Sequence, residues 1–125
     1  MENDPANYAS KSFNSNSKML FHGSSSVGIQ GIREFGFDSR FFNPTGFYGR
    51  GAYFADDPEL SNRFTAPDSD GLRHMFVVRV ALGEPEVLKA AANNKLGPNR
   101  GFHSIRGEAG GHREYIIERW GQAKP

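Results

Sequence analysis

Glycine and proline interrupt this chain throughout its length, and they limit the kind of fold that it can form. The 125 residues include 15 Gly and 7 Pro, and both residue types favour turns over the interiors of helices and strands. Regular elements should therefore be short, and a chain of this length has room for one domain with one hydrophobic core. The 11 Phe, 4 Tyr and 1 Trp supply bulky side chains for that core.

The most strongly strand-like segment is residues 75–82, where five of eight residues are Met, Phe or Val and only Arg79 is charged. Such a run predicts a largely buried β-strand. Shorter apolar runs predict further strands at residues 19–21, 51–54 and 115–118. A helix is predicted at residues 27–35, with Gly36 as its end cap. A second helix is predicted at residues 58–64, where Asp57 precedes Pro58 at the helix start.

The remaining long segments, residues 37–50 and 84–111, show no clear period and are predicted as loops. Taken together, these elements predict a mixed α+β domain, dominated by strands, with short helices and long loops. Residues 1–18 are polar and are expected to form a disordered tail ahead of a domain spanning residues 19–125.

Composition narrows the function classes. The formal net charge of +1 gives no reason to expect a nucleic acid or an anionic membrane as partner. The chain has no Cys, and no two His residues have the i, i+4 spacing of a helical zinc site, so we expect no metal. The N-terminal residues lack the apolar core of a signal peptide, and no apolar run approaches the ~20 residues of a membrane helix. We therefore expect an intracellular monomer.

Three residues become candidates for chemistry only through their context. Taken singly, His22 after an apolar run, Tyr53 within a strand and Glu114 at a strand start are each typical of structural or surface positions. Their order among other motifs changes that interpretation. The ordered segments are Leu20-Phe21-His22-Gly23-Ser24, Gly36-Phe37-Asp38, Tyr48-Gly49-Arg50-Gly51-Ala52-Tyr53-Phe54-Ala55-Asp56, Ser61-Asn62, Val77-Val78-Arg79-Val80-Ala81-Leu82-Gly83, Phe102-His103-Ser104-Ile105-Arg106-Gly107 and Arg113-Glu114-Tyr115-Ile116-Ile117.

This series resembles the catalytic domain of the poly(ADP-ribose) polymerase family over residues 19–125. The final segments are most similar to tankyrases. His74-Met75-Phe76-Val77-Val78 is similar to the mono-ADP-ribosylating members that carry macrodomains. The resemblance implies a minimal domain with the compact, strand-dominated ADP-ribosyltransferase fold. It also implies an enzyme that uses NAD+ as substrate, releases nicotinamide and transfers ADP-ribose to an acceptor.

The family's His-Tyr-Glu triad matches His22, Tyr53 and Glu114. By resemblance, His22 hydrogen-bonds the adenosine ribose and Tyr53 stacks on the nicotinamide ring. By the same resemblance, Glu114 is expected to be the main catalytic residue, whose carboxylate would bind the ribose 2′-hydroxyl more strongly as positive charge develops on the ribose. Strand alternation predicts that Glu114, Ile116 and Glu118 share one face while Tyr115 and Ile117 share the other. Because Glu114 opens the strand, we expect it to face the cleft while Ile116 is buried.

The remaining binding residues are also implied by the family. The backbone of Gly23 should pair with the nicotinamide carboxamide, Ser61 should add a hydroxyl to it, and Ser24 belongs to the same NAD+-binding set. Phe64 stands where the family often has a second stacking Tyr, and its ring should preserve the stack. We expect Gly23→Trp to block this site without unfolding the domain.

Several alternatives remain open at this point. A catalytically weak or inactive NAD+-binding module could have the same fold, and an NAD+ glycohydrolase would use water as acceptor. A protein acceptor is expected, whereas a nucleic acid acceptor has no support in the sequence. The sequence leaves mono- and poly-ADP-ribosylation undecided, because the family requires the Glu for polymer formation but it is not sufficient for it.

Overall fold

The computed structural model describes residues 16–23, 26–35, 43–63 and 65–124. The predicted disordered tail therefore falls almost wholly outside the described residues. The described strands are β1 (Ser17–Gly23), β2 (Asn43–Gly46), β3 (Gly49–Ala55), β4 (Met75–Ala81), β5 (Pro85–Leu88), β6 (Ser104–Gly107), β7 (Glu114–Ile117) and β8 (Ala123–Lys124). The helices are α1 (Ser26–Phe35) and α2 (Pro58–Asn62), with single 3₁₀ turns at Ala109–Gly111 and Trp120–Gln122.

One mixed sheet organises the domain. Its strands follow the order β5-β6-β7-β3-β1-β4-β8, and β2 pairs separately with β3. The β5–β6 pair is parallel, and the other described pairs are antiparallel. The predicted α+β class, dominated by strands with short helices, is confirmed. None of the helices among the described residues is long and apolar enough to cross a bilayer.

The central strands divide their side chains between two apolar clusters, as the two-residue period of a strand requires. The larger cluster contains Leu20, Ile32, Ala52, Phe54, Val78, Val80, Leu82, Tyr115, Ile117 and Ala123. The smaller one lies on the other face and joins Tyr48, Ile105 and Ile116, with Tyr53 packed against it. The predicted separation of Ile116 from Tyr115 and Ile117 is confirmed.

Both predicted helices are present. The prediction for α2 was based on Asp57, whose side chain accepts a hydrogen bond from the backbone N–H of Glu59 at 2.9 Å, while Pro58 occupies the first turn. This cap satisfies one of the donors that a helix start leaves without a partner. The helix ends at Asn62, two residues before the predicted end. Gly36, the proposed end cap of α1, lies outside the described residues.

The two predicted loops contain strands, and there the prediction is wrong. Residues 37–50 include β2, which forms an irregular hairpin with β3, and residues 84–111 include β5 and β6. These strands are four residues long and contain Pro, Gly or charged residues, so they have no apolar pattern of their own. They form because neighbouring strands offer backbone partners: β2 pairs with β3, β6 pairs with β7, and β5 pairs in turn with β6.

Side-chain hydrogen bonds connect the C-terminal end of β4 to the segments that contain Ser104 and Gln122. Gln122 donates from Nε2 to the carbonyl oxygens of Ala81 and His103, at 2.8 and 3.0 Å. Ser104 is fully buried and donates to the Leu82 carbonyl oxygen at 2.8 Å. Together with the β4–β8 pairing, these bonds cover the edge of β4 and limit its exposure to other chains.

Candidate active site

Three adjacent strands bring the triad residues to one cavity. In the sheet, β3 lies between β1 and β7, and Ala55 on β3 is in register with Phe21 on β1 and with Glu114 on β7. The side chains of His22, Tyr53 and Glu114 line a single cavity of about 290 Å³. The structure therefore brings together residues that lie up to 92 positions apart in the sequence (114 − 22).

His22 is oriented by the strand that carries Tyr53. Its Nδ1 atom lies 2.7 Å from the backbone carbonyl oxygen of Tyr53, and its ring is tilted against Phe54 with centroids 5.3 Å apart. A carbonyl only accepts hydrogen bonds, so Nδ1 carries the proton and Nε2 of the neutral ring is an acceptor. Burial lowers the pKa of His22, although the bond to Tyr53 opposes this shift. The Nε2 atom of the neutral ring can therefore accept a hydrogen bond from a hydroxyl group.

The hydroxyl of Tyr53 forms two hydrogen bonds with backbone groups. It donates to the Gly49 carbonyl oxygen at 2.6 Å and accepts from the Tyr48 N–H at 2.9 Å. Burial raises the pKa of Tyr53 to about 12, so this hydroxyl stays protonated. Both bonds fix the aromatic ring, which is half-buried at the cavity wall. Tyr53 is thus suited to offer a rigid ring face and is poorly suited to proton transfer.

Glu114 is the first residue of β7 and is half-buried in the cavity wall. It is in register with Ala55 on one side and Gly107 on the other, two positions without bulky side chains. Burial raises the pKa of its carboxyl, and the nearby His112 partly offsets that shift. Ile116, two residues further along the same face, is fully buried. The prediction that Glu114 faces the cleft while Ile116 is buried is confirmed.

Gly23 at the end of β1 and Ser61 on α2 line the cavity where these two elements meet. The Ser61 hydroxyl donates to the Phe21 carbonyl oxygen at 3.0 Å and is buried. A Cβ atom at Gly23 would overlap the backbone carbonyl oxygen of Ser61 and approach the Thr65 methyl group to 2.9 Å. The expectation that Gly23→Trp would leave the domain undisturbed must therefore be corrected, because any side chain at Gly23 displaces α2.

Two predicted binding residues, Ser24 and Phe64, lie outside the described residues. Conversely, the cavity has walls that sequence reasoning missed. Asn43 and Phe47 line it, and both fall in the segment that was predicted as a loop. Phe47 is half exposed, and its ring packs edge-on against Tyr48 at 5.0 Å. The aromatic pair directly before Gly49 was the available sequence signal for this wall.

We found no metal-binding constellation in the part of the chain that the structure describes: no three His, Asp or Glu side chains there are grouped to hold an ion. The predicted independence from metal stays a prediction.

Comparison with known proteins assigns the chain to a family. The family profile described as poly(ADP-ribose) polymerase catalytic domain matches residues 2–121. The chain therefore belongs to this family, as its motifs predicted.

Three curated relatives are each similar to about half of the chain. Protein mono-ADP-ribosyltransferase PARP10 of Mus musculus is 34% identical over 70 residues, which are 54% of this chain and 7% of the relative. Protein mono-ADP-ribosyltransferase PARP14 of Homo sapiens is 32% identical over 71 residues, 54% of this chain and 4% of the relative. Protein mono-ADP-ribosyltransferase PARP12 of Homo sapiens is 37% identical over 68 residues, 54% of this chain and 10% of the relative. The matched region thus spans at most a tenth of the length of these relatives.

Proposed function

We propose that this chain is an NAD+-dependent ADP-ribosyltransferase that releases nicotinamide and transfers ADP-ribose to a protein acceptor. The observation that carries the proposal is the convergence of His22, Tyr53 and Glu114 on one cavity from three adjacent strands. Membership of the poly(ADP-ribose) polymerase family supports it, and so do the names of three relatives, each a protein mono-ADP-ribosyltransferase.

The cavity suits the nicotinamide end of NAD+. At about 290 Å³ it lies at the lower end of the range for small-molecule sites, so it would enclose part of a dinucleotide and leave the rest outside. Its walls combine an immobilised aromatic ring at Tyr53 with the Ser61 hydroxyl and the backbone of Gly23. Stacking on Tyr53 would contribute about 0.5–1.5 kcal/mol beyond area burial. The Ser61 oxygen retains lone pairs that can accept from a carboxamide N–H.

His22 would bind at the adenosine side. Because Nδ1 donates to the Tyr53 carbonyl oxygen, Nε2 of the neutral ring would accept a hydrogen bond from a ribose hydroxyl. The low polarity that lowers the pKa of His22 keeps the ring neutral at physiological pH.

Glu114 would provide the chemistry. Cleavage of the bond to nicotinamide builds positive charge on the ribose, as in glycoside hydrolysis. Nicotinamide leaves as a neutral molecule, so no general acid is needed. A carboxylate that hydrogen-bonds the ribose 2′-hydroxyl gains energy as that charge grows, and this favours the transition state over the bound substrate. Partial burial strengthens the effect because less water screens the charge.

The proposal is tested by incubating the chain with NAD+ labelled in the ADP-ribose part, followed by separate measurement of free nicotinamide, protein-bound label and label length. We expect nicotinamide release together with protein-bound label, and strong loss of both in Glu114→Gln. Binding of NAD+ without nicotinamide release would instead identify an inactive binding module, and free ADP-ribose without labelled protein would identify a glycohydrolase. The length of the label separates mono- from poly-ADP-ribosylation.

A further inference from the structure

Tyr48 is a buried residue that hydrogen-bonds Tyr53 and packs against Gly107, the strand partner of Glu114. It lies between β2 and β3, directly after Phe47, and only 1% of its surface is exposed. Its backbone N–H donates to the Tyr53 hydroxyl at 2.9 Å. Its own hydroxyl accepts from the backbone N–H of Ala109 at 2.9 Å, across 61 residues of sequence. One residue therefore connects the hairpin that holds Tyr53 to the segment after β6.

The ring of Tyr48 covers Gly107. A Cβ atom built on Gly107 would overlap three carbons of that ring, so the contact requires glycine. Gly107 is in register with Glu114 across the β6–β7 pair. The Tyr48 ring, Ile105 and Ile116 also form the smaller apolar cluster directly beside Glu114 on the same face. Tyr48 thus packs on the residue that pairs with Glu114.

The electrostatic environment agrees with this proximity. Burial raises the pKa of Tyr48, and the hydrogen bond from Ala109 opposes that shift. The negative charges of Glu114 and Glu108 raise this pKa further. Glu108 itself is held by Lys89 at 2.6 Å and by Arg106 at 2.8 Å, and its N–H donates to the Leu88 carbonyl oxygen at 2.9 Å. The turn that Tyr48 contacts is thus anchored on its far side by separate bonds.

We propose that Tyr48 is a positioning residue for the transfer reaction: its hydroxyl and ring hold Gly107–Ala109 against the hairpin of Tyr53, which fixes Glu114 opposite the stacking ring. Tyr48 touches no reacting atom in this account and acts through Glu114. The inference rests on the proposed function, since it concerns the geometry in which Glu114 meets the ribose. A displacement of about 1 Å at such a group can cost on the order of a hundredfold in rate.

The alternative is a core tyrosine that contributes only to stability. Replacing such a residue would alter the free energy of unfolding, and any loss of activity would follow the loss of folded protein. Replacing a positioning residue lowers turnover even in the fully folded protein, and this effect disappears when the group that it positions has already been removed.

The test uses Tyr48→Phe, Glu114→Gln and the double variant, with Tyr115→Phe as matched control. Tyr115 is also 1% exposed, but it packs on the opposite face of β7, in the larger cluster. For each protein we would measure kcat for nicotinamide release, affinity for benzamide as a nicotinamide mimic, and thermal unfolding. We expect Tyr48→Phe to lower kcat about tenfold, as for loss of one buried hydrogen bond. Benzamide affinity should stay within about twofold.

In the Glu114→Gln background, Tyr48→Phe should have no further effect on kcat, and Tyr115→Phe should leave kcat within about twofold of the wild type. Gly107→Ala, which displaces the ring from the other side of the same contact, should reproduce the kcat loss. Wild-type kcat in folded Tyr48→Phe, or an equal loss with and without the Glu114 carboxylate, would overturn the inference.

A second readout is independent of turnover. The pKa of the Glu114 carboxyl, followed by ¹³C NMR, should move toward its ordinary value in Tyr48→Phe and Gly107→Ala because water gains access, and should not move in Tyr115→Phe. If the wild type releases no nicotinamide, the proposed function fails while this titration still decides the role of Tyr48. An unchanged Glu114 pKa in both variants would then contradict the positioning role.

Discussion

The Nδ1 atom of His22 lies 2.7 Å from the backbone carbonyl oxygen of Tyr53, so two triad residues on neighbouring strands are joined by a direct hydrogen bond. This bond fixes the tautomer of His22 and leaves Nε2 as the acceptor in the neutral ring. It also means that any change in the path of β3 at Tyr53 is transmitted to the imidazole.

Because of His22, we expect the free energy of unfolding to decrease in mild acid. Its folded-state pKa lies below the ordinary value of 6.5 because of burial. Such a group contributes stability above pH about 6.5, which is lost as the pH falls through the lower folded-state pKa. We expect the difference in free energy of unfolding between wild type and His22→Gln to shrink or reverse as the pH is lowered below 6.5. Urea unfolding at a series of pH values measures this difference, and a constant difference would contradict the burial of a neutral His22.

Tyr53→Phe should separate the hydroxyl of Tyr53 from its ring. The change removes the bonds to Gly49 and Tyr48, and leaving those backbone groups without partners should cost about 1–3 kcal/mol in the free energy of unfolding. Benzamide affinity should be largely retained, because the ring face remains. Tyr53→Ala should lose both stability and binding. If Tyr53→Ala bound benzamide like the wild type, Tyr53 would be a core residue only.

Variants of Ser61 and Gly23 should separate an effect on benzamide binding from an effect on stability. Ser61→Ala should weaken benzamide binding about five- to tenfold and cost about 1 kcal/mol of stability through the lost bond to Phe21. Gly23→Ala should mainly destabilise, by about 1–3 kcal/mol, because its methyl group overlaps the Ser61 carbonyl.

Gly71→Ala is the control for Gly23→Ala. Gly71 has a φ of +80° and no atom within 4 Å of its Cβ position, so its cost is conformational only. A Gly23→Ala protein with wild-type stability would show that α2 can move away from β1 without loss.

The fold was predictable where residues have their own apolar pattern. Residues 75–82 predicted β4, and the alternation around Ile116 predicted which side of β7 carries Glu114. In contrast, β2, β5, β6 and β8 are short and owe their existence to neighbouring strands. No local pattern specifies them.

The candidate site shows the same limit. His22, Tyr53 and Glu114 were identified because they lie within ordered motifs that resemble a known family. Tyr48 lies in one of those motifs too, but its partners Gly107 and Ala109 lie about 60 residues away. Its contacts depend on the tertiary pairing of β6 with β7, which the sequence does not display.

Glu114 should lower the stability of the folded chain at neutral pH. Burial raises its folded-state pKa, so the protonated carboxyl is favoured in the folded state. The stabilisation from this protonation is complete below the ordinary pKa and is lost as the pH rises through the folded-state pKa. We therefore expect Glu114→Gln to be more stable than the wild type at pH 7.5, with the gap closing toward pH 4. Glu84→Gln, an exposed position, should show no comparable gain. Equal stability of Glu114→Gln and wild type at both pH values would contradict the burial of the charge.

The most direct test of the central claim is the turnover of Glu114→Gln at saturating NAD+. The substitution keeps the shape and a hydrogen-bonding group but removes the negative charge. If the carboxylate acts in the transition state, kcat for nicotinamide release should fall by roughly 10²–10³, while NAD+ affinity changes little. A surface Glu at a strand end would instead alter any measured quantity by no more than about 0.5 kcal/mol. Wild-type kcat in a folded Glu114→Gln protein would contradict the proposed mechanism, even with NAD+ confirmed as ligand.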